Sequence, residues 1–155
     1  MLRVIGELLL PSVSRGYLKR GLVADYLSQI VPAATKKTIQ SCSQAIIEAL
    51  TTGGIAKADR EQISFTYRDI LPDSFAFVLH SEFPEPDIYT IEALERNKPI
   101  QTMLWNPTRL LPMLYELRNR ELISKVSEID NVRQFSTRYD LEQVAMILRS
   151  GKATL

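Results

Sequence analysis

The spacing of apolar residues predicts a long amphipathic helix over residues 36–52. Thr35 precedes this helix, and its hydroxyl can accept a hydrogen bond from an unpaired backbone N–H of the first turn. Gly53 and Gly54 follow it, and glycine readily adopts the left-handed conformation that ends helices. Apolar residues at three- and four-residue spacing share one buried face. The predicted buried residues are Ile39, Cys42, Ile46, Ala49 and Leu50.

Shorter elements are predicted on both sides of this helix. A short helix ends at a tight corner formed by residues 31–34. After the glycines, residues 55–57 and 62–66 are predicted to be strands joined by a turn, because Ile63 and Phe65 alternate with polar neighbours. Helix, corner, longer helix and hairpin follow one another in the order of a winged helix-turn-helix.

The second half of the chain repeats this order of predicted elements. Helices are predicted over residues 72–83, 87–96, 106–120 and 140–149, and strands over residues 122–126 and 132–137, with a turn at residues 128–131. Asn106 and Pro107 suit the start of the third helix. Pro112 lies inside that helix and is expected to bend it or delay its first turns, because proline lacks a backbone N–H. Met113 and Glu116 are expected to face outward.

The predicted fold is mainly α with short β-hairpins, and it consists of two winged-helix-like units packed in tandem. Residues 1–70 form the first unit and residues 71–155 form the second. We expect the first unit to bind double-stranded DNA. We expect the second unit to associate with a protein partner or with another copy of the chain.

Charge is distributed unevenly along the chain, although its net charge is only +1. Residues 1–57 contain seven Lys and Arg residues against three Asp and Glu residues, a net charge of +4. Residues 72–95 contain no Lys or Arg and carry a net charge of −6. Because such an acidic segment repels a phosphate backbone, DNA is expected to meet the first unit. The alternative is that the N-terminal cations form an ordinary solvated surface.

The long helix supplies most of the candidate DNA contacts. In a helix-turn-helix the N-terminal residues of the second helix lie near base edges. Lys36 and Lys37 oppose the helix dipole, and a nearby phosphate would offset that cost. Gln40 and Gln44 have amide groups that can contact adenine edges. The candidate residues are Thr35, Lys36, Lys37, Thr38, Gln40, Ser41 and Gln44 on the helix, with Lys57 and Arg60 on the hairpin.

The hairpin allows two interpretations. Lys57 and Arg60 lie where a wing can contact backbone phosphate, whereas Asp59 and Glu61 weaken the local positive field. The hairpin would contribute only to the core if these cations stay in solvent. The sequence leaves both interpretations open.

Patterns that indicate an enzyme, a cofactor or a metal site are absent from the sequence. His80 is the only histidine and is expected to be structural. No Cys and His cluster, glycine-rich nucleotide loop or nucleophile elbow occurs. Cys42 is the single cysteine, which excludes an internal disulfide and favours a cytoplasmic protein. No apolar run approaches the roughly 18 residues of a membrane-spanning helix, and no secretory signal is expected.

Two resemblances add to this interpretation. Residues 35–66 resemble the winged-helix superfamily. The opening Gly6-Glu7-Leu8-Leu9-Leu10-Pro11 and the helix start Thr35-Lys36-Lys37-Thr38 resemble the BrxA-type proteins of bacterial BREX phage-defence systems, which are small DNA-binding proteins. The second resemblance implies duplex binding without catalysis inside a larger defence assembly. The main alternative is an adaptor or scaffold subunit that does not bind DNA, and a third class is a small regulatory subunit of an enzyme.

Overall fold

The structure is a computed structural model that describes residues 2–129 and 132–150. The chain divides into two compact units, residues 1–68 and 69–155. The sequence placed the boundary after residue 70. The described part is a mixed α/β protein in which helices predominate and each unit contains one small three-stranded antiparallel sheet.

The first unit begins with a continuous helical segment and ends with a hairpin. Its elements in chain order are α1 (Leu2–Val4), a π-helical turn (Ile5–Leu9), α2 (Leu10–Val13), β1 (Tyr17–Lys19), α3 (Gly21–Ile30), α4 (Lys36–Thr52), β2 (Ala56–Ala58) and β3 (Gln62–Phe65). The short helix, the long helix and the hairpin were predicted from the sequence. Strand β1 was not, because three residues are too short for a distinct alternating pattern.

Strand β1 pairs with β3, which also pairs with β2, so the sheet order is β1-β3-β2. Leu18 and Ala58 both lie opposite Ile63 in this register. Because side chains alternate between the two faces of a strand, these three residues share the inner face of the sheet. The buried apolar residues of the unit's helices and sheet are Val4, Leu9, Val13, Leu18, Val23, Leu27, Ile39, Ile46, Ile47, Leu50, Ala56, Ile63 and Phe65.

Helix α4 has the predicted bounds but a different buried face. Its buried residues are Ile39, Ser43, Ile46, Ile47 and Leu50. Cys42 and Ala49 are exposed, so the prediction that they belong to the core was wrong. The inclusion of Ser43 and Ile47 rotates the buried face toward the side of the helix that carries Gln40 and Gln44. Ile47 decides the direction, because it is larger and more apolar than Cys42 or Ala49.

Both ends of α4 have the capping groups that the sequence predicted. The Thr35 hydroxyl accepts a hydrogen bond from the backbone N–H of Thr38, with a length of 3.2 Å. At the other end Gly54 has a φ of +67°. The N–H groups of Gly54 and Ile55 donate to the carbonyls of Thr51 and Leu50, which is the hydrogen-bond pattern of a Schellman motif.

The second unit repeats the order of helix, strand, helices and hairpin. Its elements are α5 (Pro72–Glu82), β4 (Ile88–Thr90), α6 (Ile91–Arg96), α7 (Lys98–Thr102), a 3-10 turn (Pro107–Arg109), α8 (Leu110–Asn119), β5 (Lys125–Ile129), β6 (Val132–Ser136) and α9 (Leu141–Ser150). Strand β4 pairs with β6, so the sheet order β4-β6-β5 matches the order of the first unit. Its core contains the aromatic residues Phe75, Phe83, Trp105 and Phe135.

Several predicted boundaries in the second unit were wrong. Residues 87–96 form β4 followed by α6, because Thr90 accepts a hydrogen bond from the N–H of Ala93 and thereby caps a new helix. The strand predicted over residues 122–126 begins at Lys125, since Leu122 is buried in the preceding turn. Glu128 and Ile129 belong to β5 instead of the predicted turn. The other two turn residues at its tip, 130 and 131, lie outside the described residues.

Helix α8 also begins later than predicted. Asn106 caps a 3-10 turn, and the α-helix starts only at Leu110. Pro112 therefore lies in the first turn, where its missing N–H removes no intrahelical hydrogen bond. Met113 is buried against the core, so the prediction that it faces outward was wrong. Glu116 is exposed, as predicted.

Helix α8 ends in the same motif as α4, with one unfavourable residue. The N–H groups of Glu121 and Leu122 donate to the carbonyls of Arg118 and Leu117. Glu121 has a φ of +60°, in the left-handed region where a side chain is strained. Gly54 occupies the equivalent position after α4. The second unit therefore contains a strained residue where the first unit has glycine.

We predict that Glu121→Gly increases the stability of the second unit by about 0.5–1 kcal/mol, because glycine adopts a positive φ without a side-chain clash. The matched change Gly54→Ala should destabilise the first unit by a similar amount. Urea unfolding followed by circular dichroism measures both effects. An unchanged or lower unfolding midpoint for Glu121→Gly would contradict the prediction.

Candidate nucleic-acid interface

The first turn of α4 combines a satisfied cap with two exposed cations. The hydroxyl oxygens of Thr35 and Thr38 lie 2.9 Å apart, and that of Thr35 also accepts the N–H of Thr38. Lys36 and Lys37 are exposed and form no ion pair within residues 2–129 and 132–150. The threonine hydroxyls therefore stabilise the helix start, whereas the lysines present positive charge to solvent.

A cleft of about 680 Å³ lies between the start of α3, α4 and the hairpin turn. Gln40 and Gln44 line it from α4, and Arg60 lines it from the turn. Lys19 and Arg20 line the opposite side. Asp25 and Glu61 are also in the lining, so three cations stand against two carboxylates. The charged groups of the cleft therefore have a small excess of positive charge.

Arg20 joins three segments around this cleft. Its guanidinium Nη1 donates to the carbonyl oxygen of Asp59 in the hairpin turn at 2.8 Å. Its Nη2 donates to Oε1 of Gln44 on α4 at 2.5 Å. Its backbone N–H donates to the carbonyl oxygen of Glu61 at 2.8 Å. Because a guanidinium has only donors, the amide of Gln44 must turn its oxygen toward Arg20.

The hairpin turn is held by Asp59. Its Oδ1 accepts hydrogen bonds from the backbone N–H groups of Glu61 and Gln62, each 2.8 Å long. The N–H groups of Gln62 and Glu61 also hold the pKa of the Asp59 carboxyl below its ordinary value. Asp59 is therefore ionised at neutral pH and reduces the positive field beside Arg60.

Lys57 lies apart from the cleft, on the outer face of the first sheet. It is opposite Ser64, which is in turn opposite Tyr17 on β1. Lys19 lies two residues beyond Tyr17 and is also exposed. The outer face of the first sheet is composed of Tyr17, Lys19, Lys57, Gln62 and Ser64.

The cations of the two units differ in their partners. Arginines of the second unit form the ion pairs Arg96–Glu92, Arg109–Asp69, Arg120–Asp73 and Arg133–Glu95. The first unit has five cations that form no ion pair with any residue that the structure describes, namely Lys19, Lys36, Lys37, Lys57 and Arg60. These five cations are therefore available to an external anion, whereas Arg3 of the same unit pairs with Glu7.

The structure brings only part of the predicted site together. All nine predicted residues are exposed, but only Gln40, Gln44 and Arg60 line the cleft. Ser41 lies one residue from Gln40 on α4 outside the cleft. The sequence interpretation missed Lys19 and Arg20 as site residues. The only signal in the sequence was that Lys19 and Arg20 are adjacent cations just before the helix that begins at Gly21, because their place beside the sheet depends on the pairing of β1 with β3.

No group of three or more His, Cys, Asp or Glu residues in the described ranges is arranged to hold a metal ion. None of the described helices has both the length and the hydropathy needed to cross a membrane. His80 is fully buried, and its Nδ1 donates to the carbonyl oxygen of Ala76 at 3.0 Å.

Comparison of the chain with protein-family models, with curated proteins and with solved structures finds no match. The resemblances to winged-helix proteins and to BrxA-type proteins therefore stay predictions from the sequence.

We predict that the second unit loses stability when His80 becomes protonated. Burial lowers the pKa of His80 below its ordinary value of 6.5. The unfolded chain then binds more protons than the folded chain as pH falls through 6.5, so the free energy of unfolding decreases. Urea unfolding at intervals from about pH 7.5 to about pH 5.5 should detect this slope.

The control for this prediction is His80→Leu, which removes the titrating group from the same buried site. The variant is expected to have a flatter dependence of unfolding free energy on pH, whatever its absolute stability. Equal slopes for the wild type and the variant would show that His80 does not cause the pH dependence.

Proposed function

We propose that the first unit binds duplex DNA as a winged helix, without catalysis. Helix α4 would enter the major groove with its N-terminal turn near the bases, and the β2–β3 hairpin would lie along the backbone. The order of its elements and the sheet order β1-β3-β2 support this proposal. A role inside a phage-defence assembly is a narrower proposal, supported only by the resemblance of the two short segments.

The observation that carries the proposal is the unpaired positive charge around α4. Lys36 and Lys37 are exposed on its first turn, and Arg60 lines the cleft beside it. Cations at a helix start are unfavourable alone and become favourable next to phosphate. Lys57 and Lys19 add charge on the neighbouring sheet face. An adaptor would not need this arrangement.

We predict that the double change Lys36→Glu and Lys37→Glu lowers duplex affinity at least about tenfold, which corresponds to about 1.4 kcal/mol. The salt dependence of log K should become shallower by about two units of slope, because two phosphate contacts are lost. Fluorescence anisotropy with a labelled duplex at several salt concentrations measures both quantities. Circular dichroism should show an intact fold, because acidic residues suit a helix start.

The matched control is the double change Lys98→Glu and Arg149→Glu, which alters the net charge equally but at exposed positions of the second unit. It should reduce affinity much less. A folded Lys36 and Lys37 variant that binds like the wild type would exclude α4 as the contact helix. Failure of the wild type to bind any duplex at low salt would favour the adaptor alternative.

A second function is favoured by the outer face of the second sheet. By the strand register this face comprises Ile88, Thr90, Lys125, Ser127, Ile129, Val132, Gln134 and Ser136. Ile88, Ile129 and Val132 are 61%, 62% and 49% exposed. The equivalent face of the first unit has two lysines and no aliphatic residue.

We therefore propose that the second unit associates with protein, and that a second copy of this chain is the partner to test first. A face with one charged residue out of eight can meet its own copy without strong repulsion. The sheet has only three short strands, so the association is expected to be weak. This proposal is independent of DNA binding.

We predict that Ile129→Lys weakens self-association about tenfold or more, because it places a like charge in a two-fold contact. The matched control is Val31→Lys, a similar change at an exposed residue of the first unit. Sedimentation equilibrium over a range of concentrations measures the dissociation constants. A wild type that stays monomeric throughout would exclude the second copy as partner.

A further inference from the structure

We infer that Arg20 is a positioning residue for DNA recognition, and that it sets how α4 presents Gln44 to the bases. The inference rests on the proposed function of the first unit. Two hydrogen bonds from the Arg20 guanidinium carry it, one to the Gln44 side chain and one to the Asp59 carbonyl. These bonds connect the start of α3 with α4 and with the hairpin turn.

The first consequence concerns the amide of Gln44. Bidentate recognition of adenine requires the amide oxygen and the amide nitrogen of one side chain together. Because the Gln44 oxygen already accepts from Arg20, one of its two lone pairs is occupied and the amide orientation is fixed, whereas both N–H groups of its nitrogen remain available as donors to a ligand. Gln44 is therefore suited to base pairs that present acceptors, such as N7 and O6 of guanine.

The side-chain amide of Gln40, unlike that of Gln44, is not held by another described side chain. Gln40 lies one turn earlier on the same side of α4, and its amide forms no hydrogen bond with any residue of the described chain. Both ends of that amide are available for an adenine edge. The two glutamines that look equivalent in the sequence thus have different recognition chemistry.

The second consequence concerns the hairpin turn. Arg20 bonds the carbonyl of Asp59, whose side chain holds the N–H groups of Glu61 and Gln62. Arg60 lies within this turn. A planar guanidinium can bridge two separate acceptors, whereas the ammonium of lysine on its flexible stem keeps the charge but loses the fixed fork. The change Arg20→Lys therefore separates positioning from charge.

The experiment compares the wild type, Arg20→Lys, Gln44→Met and the double variant. A pool of duplexes with randomised central base pairs identifies the preferred sequence, and affinities are then measured for every single base-pair change at several salt concentrations. Amide hydrogen exchange of Glu61 and Gln62 in the free protein reports the order of the hairpin turn. Arg15→Lys is the matched control, since Arg15 is exposed and has no side-chain partner among the described residues.

We expect Arg20→Lys to keep the wild-type salt slope but to change preference at one base pair by about fivefold or more, toward adenine, because the amide of Gln44 is then free to turn and both lone pairs of its oxygen can accept. Gln44→Met should remove the preference at the same base pair. The double variant should then match Gln44→Met, since the two side chains act together. Exchange of Glu61 and Gln62 should be faster in Arg20→Lys and unchanged in Arg15→Lys.

Three results would overturn the inference. Unchanged base preference in an Arg20→Lys variant that still binds would show that Arg20 does not orient Gln44, while the proposed function would stand. Wild-type exchange at Glu61 and Gln62 in that variant would show that Arg20 does not hold the turn. Absence of duplex binding by the wild type would overturn the proposed function together with this inference.

Discussion

Each unit depends on the pairing of one very short strand with the last strand of its hairpin. Strands β1 and β4 contain three residues each, and they pair with β3 and β6. In the first unit this pairing joins residues that are more than forty positions apart in the chain, with Leu18 opposite Ile63. It also places Arg20 next to Glu61 and the hairpin turn. The geometry of the candidate interface follows from this long-range contact.

The two units share their sheet order and the succession of helix, strand, helices and hairpin, to which the second unit adds α9, yet their surfaces differ in charge chemistry. Five cations of the first unit form no ion pair with a described residue, whereas Arg96, Arg109, Arg120 and Arg133 of the second unit are paired with carboxylates. An ion pair at the surface contributes little to stability but neutralises the local field. The backbone arrangement therefore does not distinguish the roles of the units. The units differ in their side-chain chemistry, as the outer faces of the two sheets illustrate.

Sequence patterns predicted the long elements well and the short ones poorly. Helix α4 was predicted with its bounds, because Thr35 and Gly54 give local capping signals. Strand β4 was predicted as helix, since a three-residue strand is stabilised by its partner β6 and not by its own pattern. Cys42 was assigned to the core because it matches helical spacing, although Ile47 turns that face away from it. Local signals are therefore reliable where the cause of the structure is local.

Local sequence patterns also fail to predict the hydrogen-bond partners of single side chains in the candidate site. The sequence identified Gln44 as a polar residue on the exposed side of α4, and exposure alone made it equivalent to Gln40. What distinguishes them is a hydrogen bond from Arg20, which lies 24 residues earlier and on another element. A helix pattern carries no information about such a partner, because the contact exists only after β1, α3 and the hairpin have packed together. The donors and acceptors that a recognition helix offers are thus set by the residues that surround it as much as by its own sequence.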